Sequence, residues 1–266
     1  MRADVFLAAI VAGCGGAPAP ASTPPPPPST APLAWLTGTY QAPGATARWQ
    51  VVAGARWGVL LRDDGFEVDV LDPGGPVAGG ARLIAMPDGR RADAYRVIAA
   101  TPQLLEAVAD PGRVRRLRTA GHALLAERDD DPPRHPERVT LTPATDTPAP
   151  ALNAADAAFA ADTAARGADG WVAAFAPDGA QWEDDQRIEG AAAIRAHITA
   201  TLAAGALAWS PIASGARGDL GFTLGEWTFT APTKQIVARG SYCTIWRRQP
   251  DGRWLVAFDV GRPAQT

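Results

Sequence analysis

The chain is poor in the residues that announce common chemistries. Of its 25 basic residues one, Lys234, is lysine and the rest are arginine. With the abundance of alanine, glycine and proline this reflects a GC-rich coding bias, so arginine here is no sign of phosphate binding. The formal net charge of −3 provides no basic face to displace counterions, and nucleic acid is not an expected partner. The two cysteines, Cys14 and Cys243, build no disulfide framework. Three histidines, His122, His135 and His197, lie far apart without metal-ligand spacing, so no metal is expected. The glycine pairs Gly15-Gly16, Gly74-Gly75 and Gly79-Gly80 precede no lysine in a phosphate-cradling motif, and no cofactor is expected. The Gly-x-Ser-x-Gly signature of many serine hydrolases is missing. No apolar run is long enough to span a bilayer as a mature helix.

What is present begins with a short apolar run, Val5–Ala12, preceded by Arg2 and ending at Gly13-Cys14-Gly15-Gly16. Such a run fits the apolar region of a signal peptide. Val11-Ala12-Gly13-Cys14 resembles the bacterial lipobox, in which small residues precede a cysteine that becomes the acylated first residue of the mature protein. The stretch 17–32 is nearly all Pro, Ala, Ser and Thr, with five consecutive prolines at 24–28. It has nothing to bury and favours the extended polyproline conformation, a stiff spacer behind a lipid anchor. The resemblance implies a signal peptide at 1–13, a lipidated Cys14 with its linker at 14–32, and a cell-envelope location. Gly15, rather than Asp, after the cysteine resembles the sorting signal for the periplasmic face of a Gram-negative outer membrane.

A second low-complexity stretch, 142–150, separates two textures. Before it, 33–141 reads as short strands. Arg48–Leu61 is a pair broken near Gly54, Asp63-Asp64-Gly65 is a tight turn, and Phe66, Val68 and Val70 alternate. Further strands at 83–85, 94–98, 104–108, 113–118 and 123–126 are spaced by Pro-Asp-Gly and Pro-Gly. Such spacing suits an antiparallel barrel or sandwich. Leu33-Ala34-Trp35-Leu36-Thr37-Gly38-Thr39-Tyr40, Ile84-Ala85-Met86-Pro87-Asp88-Gly89 and Tyr95-Arg96-Val97 are similar to segments of a lipocalin-like bacterial family of unknown function. That family carries Glu-Asn-Pro-x-His-Asp-Phe-Pro where this chain has Glu106-Ala107-Val108-Ala109-Asp110-Pro111. The polar centre is gone, and no site is expected there.

In 151–266 the pattern changes to helices followed by strands. Leu152, Ala155, Phe159 and Thr163 share a helix face ending at Gly167. Trp171, Ala174 and Phe175 suggest a short second helix stopped by Pro177-Asp178-Gly179. A short strand at 180–183 follows, and Ile194, Ile198 and Leu202 stripe a third helix beginning near Gly190. Strands at 207–212, 220–230, 235–247 and 253–260 complete the order, the last two joined by Pro250-Asp251-Gly252. The fold class is therefore α+β, a helical and antiparallel domain after a mostly antiparallel β domain, and 151–266 is expected to fold alone.

Several phrases in this half resemble the SnoaL-like branch of the ketosteroid-isomerase-like (nuclear-transport-factor-like) superfamily. They are Phe175-Ala176-Pro177-Asp178, Ile188-Glu189-Gly190-Ala191-Ala192-Ala193-Ile194-Arg195, Gly218–Gly225, Gly240–Arg247 and Asp251–Val256. The resemblance implies a cone of helices wrapped by a curved antiparallel sheet with a pocket at one end. It hosts enzymes and non-enzymes, so fold alone does not decide function. The superfamily's catalytic base falls on or beside Glu183, which makes Glu183 the candidate catalytic residue. Its place in Trp182-Glu183-Asp184-Asp185-Gln186 favours a solvated acidic loop. Relatives often carry His-Asp-His where this chain has Phe258-Asp259-Val260, and no oxyanion donors are recognisable, Tyr242 being more in keeping with pocket lining. The expected lining is Trp182, Trp209, Glu226, Trp227, Phe229, Tyr242, Phe258 and Asp259, and His197 reads as an ordinary helix-face histidine. The favoured reading is a pocket for a small apolar ligand, or a surface for a homodimer; the alternative is a proton-transfer enzyme of isomerase or dehydratase type with Glu183 as base.

Overall fold

The computed structural model describes residues 31–72, 81–109, 112–129, 137–183 and 186–264. The expectations about the leader, Cys14 and the proline-rich spacer fall outside them.

Alternation and tight turns build the first half. Ten strands run β1 (Gly38–Ala42), β2 (Ala45–Val52), β3 (Ala55–Arg62), β4 (Gly65–Asp72), β5 (Arg82–Pro87), β6 (Asp93–Ala100), β7 (Leu104–Ala109), β8 (Arg113–Ala120), β9 (Ala123–Asp129) and β10 (Glu137–Ala144). Each pairs antiparallel with its sequence neighbour, and β1 pairs with β10 through Tyr40 opposite Pro143, so the sheet closes into a lipocalin-like barrel with no free edge. At the β2–β3 hairpin both turn residues, Ala53 and Gly54, have positive φ, the geometry that matches the strands' own twist. The closing strand β10 takes in Thr142, Pro143 and Ala144, three residues of the stretch read from sequence as linker. The rest of that stretch is tied down: Asp146 meets Arg48 at 3.0 Å, and the Ala149 N–H donates to Ser214 Oγ at 3.1 Å.

One residue in two points into the barrel. Trp49, Leu83, Tyr95, Leu105 and Leu117 fill much of it, joined by Leu33 and Leu36 from a 3-10 turn at Ala31–Leu36. The same strand faces also carry a buried ion network. Arg115 meets both Glu67 and Asp69, Arg128 meets Glu67 at 3.2 Å, and Arg113 meets Asp93 at 2.6 Å. Burial pushes the Asp69 carboxyl up to about 7, against the pull of Arg128.

The second half has three helices, α1 (Pro150–Arg166), α2 (Ala168–Ala173) and α3 (Ala191–Ala204), and a six-stranded sheet of β11 (Phe175–Glu183), β12 (Gln186–Glu189), β13 (Ala206–Arg217), β14 (Leu220–Thr230), β15 (Ile236–Arg248) and β16 (Trp254–Pro263). Proline opens α1, where its missing N–H costs nothing. The strand order is β12-β11-β16-β15-β14-β13. All pairs are antiparallel except β11 with β16, so the sheet is mixed rather than purely antiparallel. Pro177-Asp178-Gly179 does not stop a helix: α2 already ends at Ala173, and the three residues sit in β11 at a register shift between Phe175 and Ala180.

Much of the outer face of this sheet is packed against the barrel. Trp182, Phe222, Leu224, Ile245, Phe258 and Val260 pack on Trp57, Val59, Leu61, Phe66, Val68 and Met86 from the outside of the barrel, in one continuous core. Phe258 lies 5.9 Å from the Phe66 ring and seats against Gly89, where a Cβ would fall 2.3 Å from the phenyl ring. Buried in this layer, the Trp57 indole donates to Ser241 Oγ at 2.9 Å. At its margin Arg187 donates to the Gly89 carbonyl and Arg217 meets Asp63 at 2.7 Å.

Candidate functional site

The inner face of the curved sheet and the three helices line a half-open cavity of about 80 Å³, several times what one water needs. One wall is aromatic. Phe159 of α1, Trp171 of α2 and Trp209 of β13 form a mutually packed cluster with ring centroids 4.8 to 5.4 Å apart. Trp227 and Phe229 of β14 and Tyr242 of β15 extend it. The indole N–H groups are already used: Trp171 donates to Gln181 Oε1 at 3.2 Å, Trp209 to Asp156 Oδ1 at 2.8 Å and Trp227 to the Ser241 carbonyl at 3.1 Å. The rings therefore offer the cavity their apolar surfaces.

The opposite wall is polar. Gln181 and Glu183 come from β11, His197 and Thr201 from α3, Thr244 from β15 and Asp259 from β16. Asp259 Oδ1 accepts a hydrogen bond from Thr244 Oγ1 at 2.6 Å. Burial pushes the Asp259 carboxyl up to about 7; the Thr244 bond opposes this, and the charges of Asp156 and Glu183 add to it. Glu183 and His197 face each other at 3.7 Å, their side chains 23% and 24% exposed, so the pair sits at the rim rather than in free solvent. Among the described residues no group of three or more His, Cys, Asp and Glu side chains is arranged to hold a metal ion.

Behind the aromatic wall lies a carboxylate that the sequence reading passed over. Asp156 of α1 is fully buried. It accepts from Trp209 Nε1 and, at 3.0 Å, from the Tyr242 hydroxyl, and Thr223, itself an acceptor from Trp246 Nε1 at 2.9 Å, bonds to it as well. One side chain thus fastens α1 to β13, β14 and β15. Burial raises the Asp156 pKa despite these bonds. Burial and the adjoining Asp156 raise that of Tyr242 beyond the usual phenol range, so its hydroxyl stays a neutral donor.

Of the candidates read from sequence, Glu183, Trp209, Trp227, Phe229, Tyr242 and Asp259 meet in this cavity. Trp182, Glu226 and Phe258 do not, and the two-residue period of a strand is the reason. Asp259 points in, so Phe258 points out onto Phe66. Glu183 and Gln181 point in, so Trp182 points out into the layer between the domains. Trp227 and Phe229 point in, so Glu226 stands on the outer face, in a shallow groove with Arg239 and Ala53. Glu183 is the last residue of β11 rather than part of a solvated loop. His197, three residues after Ile194 and four before Thr201, lies on the buried side of α3, a placement its spacing already allowed. Asp156 had a signal too, standing four residues after Leu152 and three before Phe159, in the apolar stripe.

Residues 155–257 match the model of the SnoaL-like domain family, and this part of the chain is a SnoaL-like domain. Among solved structures it is similar to a ketosteroid isomerase-like protein from Erwinia carotovora atroseptica, at 14% identity over 44% of this chain and 96% of that one, with a TM-score of 0.39. A protein from Mycobacterium tuberculosis shares 21% identity over 44% of this chain and 71% of its own, TM-score 0.39. An NTF2-like protein with a cystatin-like fold from Novosphingobium aromaticivorans shares 19% over 42% and 79%, TM-score 0.37. No curated protein matches the chain.

Proposed function

We propose that the protein is a lipid-tethered binding protein of the cell envelope whose cone cavity holds a small molecule with an apolar body. The observation that carries this reading is the wall of packed aromatic rings with its indole N–H groups already bonded elsewhere. Such a wall gives up water readily and favours an apolar guest. Much of the outer sheet face, a second surface that could serve self-association, is covered by the barrel. The tether is Cys14, acylated after removal of 1–13, and the destination is the periplasmic face of an outer membrane. Native mass spectrometry of the purified protein tests the binding reading: a retained small molecule, lost in Trp227→Ala, supports it. Wild-type protein that neither retains a molecule nor changes tryptophan emission with added apolar compounds refutes it.

A second reading is favoured by one observation, the meeting of Glu183, His197 and Asp259 on a single wall. Glu183 is then a general base with His197 beside it, and the protonated form of Asp259 donates a hydrogen bond to the charge created on the substrate. Glu183→Gln abolishing a measurable turnover while leaving ligand affinity intact would establish this enzyme reading in place of binding alone.

A further inference from the structure

The polar wall differs from what a purely apolar guest needs, and the difference has a sign. Every polar side chain on it that carries a formal charge at neutral pH, apart from a protonated histidine, is a carboxylate. Among the described residues no arginine or lysine lines the cavity. His197 faces Glu183, so a positive charge there is answered within the wall. Asp259 has no such answer. Its one hydrogen bond, from Thr244, goes to Oδ1, and the charges acting on it are those of Asp156 and Glu183, both of its own sign. The wall opposite is aromatic, with Trp209, Trp227, Phe229 and Tyr242 among its residues, and the faces of such rings attract cations. Acceptors on one side and aromatic rings on the other make a cavity whose missing partner is positive.

Resting on the binding reading above, we propose that the cavity takes an organic cation: an amine carried on an apolar body, its nitrogen directed to Asp259 and Glu183 and its body against Trp209 and Trp227. A neutral or anionic guest of the same shape fits the aromatic wall but leaves Asp259 facing only like charges.

Three probes sharing one phenyl body test this: 2-phenylethylamine, 2-phenylethanol and phenylacetate, titrated into the purified protein by calorimetry at pH 7.5. The amine is expected to bind at least tenfold more tightly than the alcohol, and phenylacetate most weakly. Asp259→Asn is expected to remove the amine's advantage and leave the affinity for the alcohol within about twofold, since the aromatic wall is untouched. Glu183→Gln, at the rim and tolerant of exchange, is expected to reduce the advantage in the same direction and serves if the first variant does not fold. Equal binding of all three probes, or tightest binding of the alcohol or the acid, overturns the cation inference and leaves the binding reading standing. An amine preference that survives substitution of the carboxyls also overturns it. Failure of all three probes to bind wild-type protein overturns the cation inference; the binding reading falls only if the wild-type protein also retains no molecule and shows no change in tryptophan emission.

Discussion

Replacing Asp259 by asparagine is expected to stabilise the protein at pH 8 and to change its stability little at pH 4.5. The carboxyl, ordinarily at 3.8, is pushed up to about 7 by burial and by the neighbouring charges of Asp156 and Glu183, in spite of the Thr244 bond. Between those two values the folded chain holds a proton that the unfolded chain has released. The group's contribution to stability is therefore complete below about pH 4 and is lost as pH rises through about 7. Each pH unit between the two midpoints corresponds to about 1.4 kcal/mol, so the loss on reaching pH 8 approaches about 4 kcal/mol, reduced by water in the cavity. Asparagine stays neutral throughout and still accepts from Thr244 through its side-chain oxygen. The variant should thus exceed wild type by about 2–4 kcal/mol at pH 8 and by about 1 kcal/mol or less at pH 4.5. Urea unfolding followed by tryptophan emission at the two pH values measures the difference. Asp69 in the barrel, also held at about 7, titrates in both proteins and cancels. A difference that is the same at both pH values, or that favours wild type at pH 8, refutes the reasoning.

The remaining expectations concern the layer between the domains and the anchor. Trp57→Phe deletes the buried bond to Ser241 Oγ and should cost about 1–3 kcal/mol, read as a lowered urea midpoint. A fragment beginning at Pro150 leaves Trp182, Phe222, Leu224, Ile245, Phe258 and Val260 without their barrel partners, and sedimentation velocity should show it self-associating where the whole chain does not; a monodisperse monomeric fragment would contradict this. Labelled palmitate should enter the wild-type protein and not Cys14→Ser; equal labelling of both removes the lipid anchor.

Much of the strand architecture was legible because period-two alternation and Gly- or Pro-marked turns are local signals. Phe66, Val68 and Val70 announce β4 with no knowledge of its neighbours. The closing strand was not, because Glu137–Ala144 contains a proline and two threonines and joins the barrel by pairing with β1, a hundred residues away. The parallel pairing of β11 with β16 is equally non-local. In the cavity, Trp227 and Phe229 stand two apart on one strand, so alternation alone puts them on one face. Trp182 and Phe258 were assigned by aromatic character, and their strands aim them the other way. Asp156 was passed over because a polar residue in an apolar stripe earns attention only when its partners, here on three later strands, are known.

The allocation of side chains across the curved sheet explains why this cone comes joined to a barrel. A sheet that wraps helices on one face commonly meets water with the other, and its outward residues are then polar. Here β16 sends Asp259 inward and Phe258 and Val260 outward, β11 sends Gln181 and Glu183 inward and Trp182 outward, and β15 sends Thr244 inward and Ile245 outward. At these positions polar groups face the cavity and large apolar groups face outward, where only a partner can bury them. The barrel's own outward strands, bearing Trp57, Val59, Leu61, Phe66 and Val68, are that partner. Packing the back of the sheet against a closed, edge-free scaffold holds β11, β15 and β16 in fixed register. Those are the strands that position Glu183, Thr244 and Asp259. The barrel thereby contributes to the site through the rigidity of its floor, without supplying a single lining residue.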